Sequence, residues 1–139
     1  MDDTRYGMRV HVAAPYETAI DQVKQALQEQ GFGVLTSIDV QQTLKQKVNR
    51  DFRKYVILGA CNPVLADQAL HAELEIGLVL PCNVIVYERE GGGSTVAAMA
   101  PRPAMVMVGN PDLDAVAADA DARLRRALRS LEATAAVVG

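Results

Sequence analysis

The chain contains no tryptophan, two phenylalanines and four tyrosines. A core for 139 residues must therefore be built from aliphatic side chains, chiefly Val, Leu, Ile and Ala. Cysteine is as scarce, with two residues, and so is histidine, also with two. Long apolar runs are missing too: none approaches the ~18 residues of a membrane span. The opening stretch "MDDTRYGMRV" carries two Asp and lacks the apolar segment of a signal peptide. The expectation is a cytoplasmic protein without a membrane partner. In that compartment two thiols serve as free groups, metal ligands or transient redox groups, not as a permanent staple.

An excess of positive charge is absent as well. The formal net charge of −3 argues against a general nucleic-acid or anionic-membrane binder, which needs a basic surface. No P-loop or dinucleotide fingerprint is present. Ser37, Asp39 and His71 assemble into a triad on paper only, because no G-x-S-x-G elbow supports them. No enzyme reaction is indicated.

What is present is a strong alternation of patterns. The length suits one domain, 1–139, and such a domain buries roughly two thirds of its unfolded surface, enough to need no disulfide or metal. Met8, Val10 and Val12 alternate as in a strand. Pro15 then opens a helix whose stripe is Tyr16, Ile20, Val23 and Leu27, closed by Gly31. "FGVLTSI" (32–38) reads as a second strand. Asp39 caps a short helix with Val40, Leu44 and Val48 as its ridge. Tyr55-Val56-Ile57-Leu58 reads as a strand buried on both faces. Asn62-Pro63 is a cap followed by a first helical residue, heading a helix over about 63–73. "NVIVYE" (83–88) and "TVAAMA" (95–100) form a hairpin across the "EGGGST" turn. "PRPAMVMVGNP" (101–111) leads into a last helix with Leu113, Val116, Ala120, Leu124, Ala127 and Leu131 buried. Asp112 and Asp114 near its start and Arg123, Arg125, Arg126 and Arg129 toward its end match the helix dipole. The apolar tail "TAAVVG" is expected to fray or to pack on a partner.

The order β-α-β-α-β-α-β-β-α predicts an α+β fold. One mixed or mostly antiparallel sheet of about five strands would carry helices mainly on one face. Whether the strands ending at Cys61 and starting at Cys82 run parallel decides if the two thiols meet. A strand-helix-strand order favours the parallel case, which would set them roughly 20 Å apart at ~3.3 Å per residue. The antiparallel case puts both at one edge.

Three stretches, "GFGVLTSIDVQQTLKQKVNRDFRKYVILGACNP" (31–63), "ALHAELEIGLVLPCNVIVYE" (69–88) and the segment from Met105 to Pro111, resemble the family called domain of unknown function 302. The likeness spans about residues 5–132 and rests most on G-A-C-N-P paired with L-P-C-N-V-x-V-Y-E, which marks a subgroup. The resemblance implies a compact α+β domain, usually a homodimer, with no established activity. It also implies that members of the wider family lack one or both cysteines, so the thiols do not hold the fold together.

The candidate site is Cys61, Asn62, Cys82 and Asn83. The plain reading of the cysteines is two small buried hydrophobes. The sharper one notes that Cys61 precedes a helix N-terminus, which favours thiolate. C-x20-C is no zinc-finger spacing, and structural zinc takes four ligands. Two thiolates suit copper(I), or complete a zinc site across a dimer axis. Met105 and His71 are possible additions, although His71 has no partner fixed by spacing and Met105 and Met107 read as core or interface residues. Asn62 and Asn110 are explained as caps. Asn83 begins a strand, where Asn is disfavoured, and is a candidate to line a pocket. Three expectations follow: a protein binding a small ligand or a soft metal ion (copper or zinc), a thiol redox protein using Cys61 and Cys82, or an interaction module with inert cysteines.

Overall fold

In the computed structural model residues 1–138 are described, with side chains through Glu132. Among them six strands form one sheet: β1 (Asp2–Asp3), β2 (Gly7–Val12), β3 (Gly33–Asp39), β4 (Tyr55–Cys61), β5 (Cys82–Glu88) and β6 (Ser94–Met99). The sheet order is β1-β2-β6-β5-β4-β3 and each pairing is antiparallel. β1 is a two-residue edge strand that no alternation in the sequence announced.

The α-helices are α1 (Tyr16–Glu29), α2 (Val40–Val48), α3 (Pro63–Ala72), α4 (Pro101–Val108) and α5 (Asp114–Val138). One face of the sheet presents Met8, Val10, Val56, Leu58, Val84 and Val96, all buried. α1 and α5 pack on that face through Val23, Leu27, Leu124 and Leu128. Period-two strands laid against helical stripes account for this layer without further devices. Gly31, at φ 85°, closes α1 in the left-handed conformation expected after a helix end.

Several expectations need correction. β4 and β5 are antiparallel neighbours, with Ala60 opposite Cys82 and Gly59 opposite Asn83. The parallel alternative fails because α3 is not a crossover along the sheet. It is followed by a 3-10 turn, Leu74–Val79, which returns the chain to the edge it left. "PRPAMVMV" is a helix in its own right, since Pro101 and Pro103 fall in its first turn, where no backbone donor is needed. α2 forms where Asp39 caps it, its carboxylate accepting from the Gln42 N–H at 2.9 Å, but none of its residues is fully buried. Met107 is 74% exposed and so is no core residue. The tail "TAAVVG" lies outside the residues whose side chains are described.

The arginines of α5 pair within the helix and also beyond it. Arg123 pairs with Asp119 and Arg125 with Asp121, each at 2.8 Å. Arg125 also reaches Asp3 at 2.9 Å, and Arg123 donates to the Gln30 carbonyl at 3.2 Å. The helix is thereby tied to the edge strand and to the end of α1.

A second, smaller cluster stands beside the main core. Ala69 of α3, Ile76 of the 3-10 turn, Met105 of α4, and Leu113 and Ala117 around the start of α5 make up its buried set. This lobe sits where β4 ends, β5 begins and β6 runs into α4.

Candidate functional site

Both cysteines lie at this edge. Cys82 faces Ala60 across the β4–β5 ladder, and Cys61 is the next residue along β4. Strand spacing of ~4.8 Å and a rise of ~3.3 Å put their Cα atoms roughly 6 Å apart. Cys82 is buried and Cys61 half-buried, and both are free thiols. The two line a single cavity of about 30 Å³, together with Asn62, Met105 and a wall of hydrocarbon that includes Phe32 and Leu65. That volume suits a water or two, or one ion. Burial pushes the Cys82 thiol up to about 11, and the nearby Cys61 adds to the rise. Cys82 is therefore a neutral thiol at pH 7 until something replaces its proton.

Asn62 behaves as its sequence setting predicts. Its side-chain oxygen accepts from the Leu65 N–H at 3.2 Å, capping α3. Cys61 thus stands immediately before a capped helix N-terminus. Asn110 uses the same device, accepting from the Asp112 N–H at 3.0 Å while donating to the Ala72 carbonyl at 3.0 Å. The second bond anchors the end of α3 to the start of the last helix.

Asn83 is not brought to the cavity. Alternation along β5 turns it to the opposite face, where it is exposed and lines a broad groove with Tyr6, Tyr55, Ile85 and Tyr87. His71 is equally remote in character: its side chain is exposed and its Nδ1 lies 2.8 Å from the Asp67 carbonyl oxygen. Among the described residues, no three of His, Cys, Asp and Glu gather as a metal site.

A sequence profile matches residues 8–131, most of the chain, and its family is Domain of unknown function DUF302. The chain belongs to the DUF302 family. It is also similar to the crystal structure of an uncharacterized conserved DUF302 protein from Bacillus stearothermophilus. The two are 30% identical, with a TM-score of 0.85 over 92% of this chain and 99% of the other. No curated protein matches the chain. The DUF302 fold explains why the cysteine motifs meet: the antiparallel β4–β5 pair puts G-A-C-N-P and P-C-N-V side by side.

Three residues that shape the site were not singled out from the sequence. Gly59 is the first. A Cβ there would overlap the Thr36 hydroxyl and stand 2.9 Å from Pro81 Cγ, so only glycine lets both lie over β4. Pro81 is the second, seated on Gly59 and directly preceding Cys82. Its signal was the motif itself, where glycine and proline flank the thiols. Phe32 is the third; it reads as the start of a strand but is a buried wall of the cavity. Gly31 adds a related contact, since a Cβ on it would stand 2.9 Å from the Asn62 amide nitrogen.

No described helix is long and apolar enough to cross a membrane.

Proposed function

We propose that this DUF302 protein binds a soft metal ion, copper(I), through Cys61 and Cys82, and that it acts in the cytoplasm as a homodimer. The observation that carries the metal reading is the shared cavity, small and walled by hydrocarbon, which both cysteines line. Soft sulfur donors select copper(I) over hard ions, which keep water or oxygen ligands. Zinc is a poorer fit, because a closed zinc site takes four ligands and one chain supplies two thiolates.

The test is anaerobic titration of reduced protein with copper(I) against the chelator bicinchoninate. One equivalent should bind per chain, and Cys61→Ser and Cys82→Ser should each lose the tight site. No binding by the reduced wild type, or full binding by the double variant, would overturn the reading. Thiol redox chemistry is the second reading, favoured by the roughly 6 Å Cα spacing, which lies within disulfide range. The raised pKa of Cys82 weighs against it, since a resolving thiol attacks as thiolate.

The homodimer reading rests on the uncovered sheet face. Tyr55 and Tyr87 stack there with ring centroids 5.5 Å apart. Ile57, Ile85, Ala97 and Met99 share that face by alternation, each half-buried. A stable dimer needs about 800 Å² per partner, roughly a tenth of this chain's 8119 Å² surface. Light scattering should show a dimer that Ile85→Lys converts to monomer. A monomeric wild type contradicts the dimer and leaves the metal reading untouched.

A further inference from the structure

Of the five methionines, Met105 lines the cavity that Cys61 and Cys82 line. It is 6% exposed and belongs to the small cluster, whereas Cys82 belongs to the main one. The cavity is thus the seam between the lobe and the sheet layer. Its lining residues carry four side-chain heteroatom groups: three sulfurs and the Asn62 amide. The Asn62 oxygen is already engaged by the Leu65 N–H. Every other lining side chain is hydrocarbon.

Resting on the soft-metal reading above, we infer that Met105 is a third sulfur ligand of bound copper(I), carried into the site by α4, so that the ion ties the lobe to the sheet. Charge argues for a thioether here. Binding releases a proton from each thiol and adds one positive charge, which leaves the site at −1. A third anionic ligand would bury a second negative charge in an apolar cavity, at a large desolvation cost. A thioether adds a soft donor and no charge. A leucine would fill the same volume equally well, so space-filling alone does not ask for sulfur at residue 105.

Met105→Leu separates these roles, because it conserves volume and removes the sulfur. Copper K-edge absorption of the loaded wild type should show three sulfur scatterers, and the variant two. The bicinchoninate competition should show at least a tenfold weaker site in the variant. Selenomethionine-labelled protein supplies a measurement without substitution: selenium K-edge spectra should show copper beside one selenium in five. Equal affinity and equal sulfur number in wild type and Met105→Leu, or no copper–selenium scattering, would overturn the inference while the two-thiolate reading stands. Failure of the wild type to bind copper(I) removes both.

Discussion

The two apolar clusters of this chain are built to different standards. The sheet with α1 and α5 buries side chains such as Leu58, Val84, Val96, Leu124 and Leu128 completely. The lobe of α3, the 3-10 turn and α4 buries few, and it leaves Leu74, Leu78, Val106 and Met107 between 74% and 85% exposed. α5 belongs to both, with Ala117 in the lobe and Leu124, Leu128 and Leu131 in the main core. The difference teaches where this fold opens. Regions with few buried contacts open locally at a fraction of the global free energy, and here that region covers the two thiols.

Substitutions should reproduce this inequality. Leu124→Ala, in the main core, should cost about 4 kcal/mol of global stability in urea denaturation. Ile76→Ala, in the lobe, should cost about 2 kcal/mol and show chiefly as faster amide exchange over residues 63–79. Equal global losses would mean that the lobe is not a separate opening unit. Between these two in size falls Gly59→Val. Its side chain meets Thr36 and Pro81, and overpacking should cost about 3 kcal/mol while raising the reactivity of Cys82 toward thiol reagents.

Cys82 supplies a pH test of the seam. Its folded-state pKa is raised from 9.0 to about 11. Below pH 9 the thiol is protonated in the folded and unfolded chains, and the contribution of its burial is whole. As pH rises from 9 to 11 the unfolded chain ionises first, so stability should fall by about 2 kcal/mol through this group. Cys82→Ser should lack that component of the decline. The smallest effect belongs to the lobe surface: Leu78→Gln should change stability by less than about 0.5 kcal/mol. A larger loss would show that its exposed side chain is covered in solution.

Much of the fold was legible because period and punctuation agreed. Asn62-Pro63 and Asp39 fixed two helix starts, Gly31 fixed an end, and the triple glycine fixed the β5–β6 hairpin. The β4–β5 direction was not legible. A strand-helix-strand order ordinarily means a parallel crossover, and only the return through Leu74–Val79, a turn too short and irregular for periodicity to reveal, reverses it. The same reversal sorted the candidate site. It brought Cys61 and Cys82 to one end of the sheet, and alternation then sent Asn83 to the far face. Met105 entered through α4, which two prolines disguised as a loop, although proline is at home in a helix's first turn.

The proposal that one metal ion is held by both clusters is tested most directly by exchange in the two regions. Reduced protein should be compared with and without one equivalent of copper(I) by amide hydrogen exchange. Protection should rise over residues 63–79 and 101–108 and stay unchanged in the centre of β5 and β6. Unchanged exchange in the lobe with copper bound would show that the ion does not join the two clusters.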